Sequence, residues 1–352
     1  MEQELSENDK AIILLCAHLG NDSYQPLSNG EYSKVVEWLR TYNKQPCDLL
    51  NCDDYKDLSL FSDISEERIR FLLGRGFQLG AVVDDLAQKG ISIVTRNNIN
   101  YPIRFKRHLQ KSAPPILYYV GDISLANHGG IAIVGSRNID EQAKYFTEMI
   151  AKQCANEKMY VISGGAKGVD MISTTTTLNH GGRSVCIVSD ELFKKSLQSD
   201  IRRAIVSNQL VLISPYFPTS PFNVGNAMGR NKLIYALADY AIVVSSDYNK
   251  GGTWSGAVEE MRRSNKIPVF VRNNESAPLG NKKLVEKGAL PITVTENLSL
   301  KEILDTSLRE SVIQADNIQT NEVSETKDST KNKNTSKRKK IIAETMDLFE
   351  DF

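Results

Sequence analysis

The sequence carries no net charge, no apolar run long enough to cross a bilayer and no paired-cysteine motif, and each absence removes a class of protein. Its 43 basic residues balance 43 acidic ones, so composition alone gives no reason to expect a polyanion partner. No apolar stretch approaches the ~18 residues a membrane span needs, and Met1-Glu2-Gln3-Glu4 lacks the basic start of a secretory leader. The five cysteines, Cys16, Cys47, Cys52, Cys154 and Cys186, are odd in number and form no CxxC pair, which predicts free thiols in a reducing compartment and argues against zinc. The four histidines, His18, His108, His128 and His180, show no metal-ligand spacing, and His180 follows a helix whose C-terminal end favours a cation. A G-x-G-x-x-G fingerprint, a P-loop and a Ser-His-Asp set are also missing. The expectation is a soluble cytoplasmic protein, without metal, cofactor or membrane partner, whose 41% hydrophobic residues suffice for the cores of two or three domains.

Charge is unevenly placed. The first 70 residues carry roughly twice as many acids as bases, so the remainder is net basic and any nucleic-acid surface belongs there. Helical periodicity runs through Ala11, Ile13, Leu14, Leu15, Ala17 and Leu19, and again around Val35, Val36, Trp38 and Leu39. Asp63-Ile64-Ser65-Glu66-Glu67 opens a helix whose apolar face, Ile69, Leu72 and Leu73, stops at Gly74 and Gly76; another helix runs from Leu79 to Lys89. The pair over 63–90 reads either as a helix-hairpin-helix on DNA backbone or as ordinary helical packing. A strand at Ile91 to Val94 closes an N-terminal helical region, 1–95.

From Ile131 the period changes. Strands are predicted at Ile131 to Val134, Met159 to Ile162, Ser184 to Val188, Leu210 to Ile213, Tyr240 to Val244 and Pro268 to Val271, with helices between them and near 280 to 288. The fold class is α/β: a doubly wound, mostly parallel, Rossmann-like sheet over 96–300, with ligands expected beyond the C-terminal strand ends. A polar segment, 301–340, has the composition of a disordered basic linker ending at Lys337-Arg338-Lys339-Lys340. The last residues, 341–352, set Met346, Leu348, Phe349 and Phe352 among acids. They suit a short docking peptide for a replication or recombination protein, or a helix that folds back on the body.

The residues that carry chemistry fall at predicted strand ends. Gly135-Ser136-Arg137 follows the first strand, and Ser163-Gly164-Gly165-Ala166-Lys167-Gly168-Val169-Asp170 follows the second. Gly229-Arg230-Asn231-Lys232 lies in the helix before the fifth, and Lys250-Gly251-Gly252-Thr253 follows that strand. Glycines admit a close backbone approach, and helix-start N–H groups bind anions. Each such turn alone could merely join strand to helix; together Arg137, Lys167, Arg230 and Lys232, with Ser136, Ser163 and Thr253 as neutral donors, predict a phosphate-binding rim. Asp170, in a first helical turn, reads as a capping or loop-bracing carboxylate.

With these blocks in order, and with Tyr101-Pro102, Pro114-Pro115, Leu117-Tyr118, Gly121-Asp122, Gly280-Asn281, Leu284 and Gly288-Ala289 beside them, the chain resembles the bacterial DNA-processing protein A (DprA, or Smf) family from about Tyr101 to Ala289. The resemblance implies a homodimer that binds single-stranded DNA in the basic pocket and helps load a RecA-type recombinase during DNA uptake or recombination. Carried over by position, Arg137, Lys167 and Arg230-Asn231-Lys232 are its DNA-backbone contacts. The chain departs from the family pattern where Lys232 replaces an arginine, where Ser173-Thr174 replaces an Ala-His pair and where Ser214-Pro215 replaces Ser-Glu. A linker and acidic tail stand in place of a C-terminal winged helix. The competing class is a nucleotide-binding sensor or an enzyme: Gly251 to Glu259 loosely resembles the motif of nucleoside-monophosphate phosphoribohydrolases, with Glu259 as the catalytic carboxylate.

Overall fold

Strands apolar on both faces build the sheet expected from residue 131 onward. The computed structural model describes residues 4–20, 23–52, 54–294 and 298–310. Nine strands form one sheet among these residues: β1 (Ser92–Thr95), β2 (Ile116–Val120), β3 (Ile131–Gly135), β4 (Val161–Ser163), β5 (Ser184–Ile187), β6 (Leu210–Ser214), β7 (Tyr240–Ser245), β8 (Val269–Arg272) and β9 (Leu290–Ile292). Their order is β1-β2-β6-β5-β4-β3-β7-β8-β9. From β6 to β9 every neighbouring pair is parallel, whereas β2 pairs antiparallel with both β1 and β6. The expected doubly wound sheet is therefore present, with an antiparallel flap on one edge.

Five helices precede the sheet: α1 (Glu7–Cys16), α2 (Asn29–Thr41), α3 (Lys56–Ser62), α4 (Glu66–Leu73) and α5 (Gly76–Gln88). A short helix α6 (Ile103–Leu109) follows β1. The later ones are α7 (Glu141–Asn156), α8 (Val169–Asn179), α9 (Leu192–Ser196), α10 (Ser199–Val206), α11 (Val224–Leu237), α12 (Gly251–Met261) and α13 (Leu279–Glu286). Between β5 and β6, where one helix is expected, there are two, α9 and α10. The strand β9 has no signal in the sequence, because three residues including Pro291 are too few for a period and proline is tolerated only at an edge.

Two cores sandwich the sheet, and the side-chain alternation of single strands assigns residues to them. Val211 and Ile213 of β6 join one core with Val185 and Ile187 of β5, while Leu210, Leu212 and Cys186 point into the other. That second core also contains Ile12, Leu15, Val35, Trp38, Ile69 and Leu72 of the N-terminal helices. The expected division at 95/96 therefore runs between residues that share one core, and Met1–Leu304 forms one compact unit, with 305–352 a second. Residues 300–310, at the start of the expected linker, are helical. The basic cluster and the docking residues Met346, Leu348, Phe349 and Phe352 lie outside the described residues.

Polar ties fix the N-terminal helices. Asp9 caps α1 from within a capping box with Ser6 and accepts hydrogen bonds from Thr95 of β1 (2.5 Å) and Asn98 (3.2 Å). Arg75, in the turn between α4 and α5, is 2% exposed and donates to the carbonyls of Leu14, Ala17 and Leu72. Of the basic side chains in the helical pair at 63–90, Arg75 points inward while Arg70 is exposed.

The cysteines Cys154 and Cys186 are buried and unpaired, and burial pushes both thiols above their usual range. No helix among the described residues is long and apolar enough to cross a membrane, and no cluster of potential metal ligands occurs among them.

Candidate functional site

The strand order reverses at β3: the chain lays β4, β5 and β6 on one side, then returns to place β7, β8 and β9 on the other. Such a switch point opens a crevice above the C-terminal strand ends. A cleft of about 450 Å³ lies there, bordered by the loop after β3, the loop after β4, helix α11 and the start of α12.

Glycines set its geometry where no side chain fits. Gly168 has φ +81°, and a Cβ there would lie 2.4 Å from the Ser136 carbonyl oxygen and 2.5 Å from that of Arg137, so the loops after β3 and β4 touch backbone to backbone. At Gly164 a Cβ would fall 1.6 Å from Arg230 Nη1; the missing side chain makes the seat of that guanidinium.

Arg230 forms the cleft's charged wall. It is 5% exposed, its Nη1 stands 3.9 Å from Asp170 Oδ2, and its Nε and Nη1 have no hydrogen-bond partner. The Asp170 separation is too long for a hydrogen bond. Burial pushes the Arg230 pKa down, opposed by the Asp170 charge; an arginine nevertheless stays protonated. Burial likewise raises the Asp170 carboxyl, against the pull of Arg230 and of the polar groups in the loop after β4. Asp170 is buried behind that loop, its Oδ2 2.4 Å from where a Gly164 Cβ would lie.

Three further groups face the cleft. Arg137 is exposed, and its guanidinium lies 5.0 Å from the centre of the Phe222 ring, which is itself half exposed. Lys250 is exposed at the N-cap of α12 and provides no side-chain cap, so no side chain at that position bonds the first-turn N–H groups of the helix. Asn231 Nδ2 donates to the Gly252 carbonyl at 3.0 Å and ties α11 to this turn.

The expected residues divide between the cleft and its surroundings. Gly135, Ser136, Arg137, Arg230, Asn231, Gly251, Gly252 and Thr253 border it. Ser163 is fully buried with its hydroxyl on the Ile133 carbonyl (2.9 Å), and Gly164 and Gly165 shape the loop from behind. Lys167 is exposed but does not border the cleft. Lys232 opens onto a second cleft of about 440 Å³, on the other side of α11, together with Gly229, Tyr216 and Asn29. Glu259 pairs with Arg263 at 2.5 Å on the exposed side of α12 and borders neither cleft. Residues not singled out as ligands beforehand are Phe222, Met228 and Lys250; only Lys250, beside the Gly251-Gly252 pair, carried a signal.

A doubly wound sheet with a glycine-seated arginine and an uncapped helix start at its switch point defines a Rossmann-like protein with a cleft at that point. The chain belongs to the DNA recombination-mediator protein A family, whose profile matches residues 92–302. It is 28% identical over 185 residues to DNA processing protein DprA of Streptococcus pneumoniae, a match covering 51% of this chain and 64% of that one, just under two thirds of the relative's length. Among solved structures, DprA from Streptococcus pneumoniae superposes with a TM-score of 0.63 at 20% identity, covering 83% of this chain and 96% of that one. DNA processing protein A from Helicobacter pylori, described for its single-stranded DNA binding mode, superposes with a TM-score of 0.50 at 26% identity, covering 63% of this chain and 98% of that one.

Proposed function

We propose that the chain is a single-stranded DNA binding protein of recombination, holding backbone phosphates in the cleft at the switch point. The observation that carries this reading is Arg230: a buried guanidinium on the cleft wall with two unpaired N–H donors is costly unless an anion completes it. Arg137, Lys250 and the first turn of α12 add charge and N–H donors along the same cleft, so successive phosphates rather than one ion fit it. The half-exposed Phe222 ring and Met228 supply faces on which an unpaired base rests, which favours a single strand over a duplex. The DNA-binding relative from Helicobacter pylori supports the same choice.

The reading is one of binding rather than of phosphoribohydrolase catalysis, since the carboxylate which that alternative uses, Glu259, stands in a surface pair and does not border the cleft. Loading of a RecA-type recombinase, homodimer formation and a tail-borne contact with a replication or recombination protein belong to this proposal. They are read out by recombinase filament formation on coated DNA, by sedimentation, and by pull-down with and without residues 341–352. The primary test is salt-dependent binding of single- and double-stranded oligonucleotides to the protein and to Arg137→Ala. Preference for the duplex, or no dependence on salt, overturns it.

A further inference from the structure

A separate cavity, about 360 Å³, lies between the first turns of α7 and the edge strand β9, and none of its lining residues borders either cleft. Its walls are largely apolar: Tyr145, Phe146, Met149, Ile292 and Val294. Into this apolar space the fold brings Arg272, the last residue of β8, which is 1% exposed. Its Nε donates to the Val244 carbonyl (2.9 Å) and its Nη1 to Ser276 Oγ (3.1 Å). Its Nη2 is buried with no hydrogen-bond partner among the described residues.

A guanidinium cannot shed its proton, so the unpaired N–H remains a standing demand for an acceptor. Asp140, the N-cap of α7, acts on Arg272 only through space; its own carboxylate accepts from the Ala143 N–H at 2.7 Å. Asp140 and Glu141 also place negative charge beside the cavity, which disfavours a phosphate dianion, and the apolar walls disfavour a polyanion. The volume falls within the ~300–1,000 Å³ of small-molecule sites, whose usual make-up is apolar walls with one or two fixed polar groups.

We infer that this cavity is a binding site for a small monocarboxylate with an apolar body, its carboxylate on Arg272 Nη2 and its body against Tyr145, Phe146 and Met149. The site is independent of the DNA cleft.

The test titrates the full chain with benzoate, with benzamide as its neutral counterpart and with phenyl phosphate as the dianion, by ligand-observed NMR and calorimetry. Benzoate is expected to bind saturably and about tenfold or more tighter than either of the others, the worth of one charge-assisted hydrogen bond. Arg272→Met weakens benzoate binding by about the same factor. Because that substitution also strips a donor from the Val244 carbonyl, Tyr145→Glu serves as the second variant: it puts a carboxylate at the exposed mouth and weakens benzoate binding by about tenfold without touching the core. Absence of saturable benzoate binding, equal binding of benzamide, preference for phenyl phosphate, or unchanged affinity in Tyr145→Glu overturns the inference.

Discussion

Arg137→Ala gives the most discriminating measurement on the cleft, because its effect on affinity and its effect on salt dependence are separately calculable. If Arg137, Arg230 and Lys250 each neutralise one phosphate, the log–log slope of affinity against salt is about −2, at ~0.7 per contact on a single strand. Raising salt from ~50 to ~200 mM then weakens wild-type binding about 18-fold, whereas Arg137→Ala, with two contacts left, loses only about 7-fold. At fixed low salt the variant binds about 10- to 150-fold more weakly, from ~1.5–3 kcal/mol for a hydrogen bond to a charged group. Phe222→Ala is the control, since that ring lies against Arg137 but carries no charge. Losing one stacked base costs ~1–3 kcal/mol and leaves the slope at its wild-type value. Fluorescence anisotropy of a labelled oligothymidylate over a salt series measures both numbers. An Arg137→Ala protein with unchanged affinity and unchanged slope refutes the assignment of the cleft, and a Phe222→Ala protein with an altered slope refutes the division of labour.

Three further substitutions test the architecture around it. Gly164→Ala drives a methyl into the Arg230 seat and is expected to destabilise the fold by about 3 kcal/mol or more, the cost of breaking a buried charge pair; a urea midpoint shifted by under ~0.5 kcal/mol would show that the loop simply yields. Arg75→Met deprives the Leu14, Ala17 and Leu72 carbonyls of their donor and should cost at least about 3 kcal/mol in the same assay, with near-wild-type stability as the contrary result. Burial alone would raise the Glu31 carboxyl, but hydrogen bonds from Arg68 and Ser28 outweigh it and hold its pKa below the ordinary value. The stability this contributes is present above pH ~4.3 and is lost as pH falls through the folded-state pKa. The gap between wild type and Arg68→Met should therefore be widest at neutral pH and narrow below pH ~4 in thermal melts, and a gap that widens in acid would contradict the sign.

The sheet was largely legible because its strands are buried on both faces, so each shows as a short apolar run whatever lies above it. The rim was legible only as a set of positions. Being at a strand end places a Cα near the switch point but not the direction of its side chain. Lys167 and Ser163 sit in the right loop, yet one does not border the cleft and the other is spent on the Ile133 carbonyl. Arg230 and Lys232 are two residues apart on α11 and so roughly 200° apart around it, which puts them on opposite sides of that helix. Phe222 lies in a loop with no period to mark it. The shared core of the N-terminal helices was hidden for a related reason: periodicity at Ile69 and Leu72 shows that a face is apolar, not that residues of β6 cover it.

That shared core bears on how the chain is made. Leu86 and Leu210 pack in the same core, yet roughly 120 residues separate them, and at the ~5–20 residues per second of synthesis the earlier helices wait on the order of 6–25 s for their partner to appear. For that interval Ile12, Leu15, Trp38 and Leu72 share a core that still lacks its β6 residues. The stretch that matches the family, 92–302, does not hold the whole of that core: cut out alone, it would leave the Leu210 and Leu212 face of its sheet without the N-terminal helices.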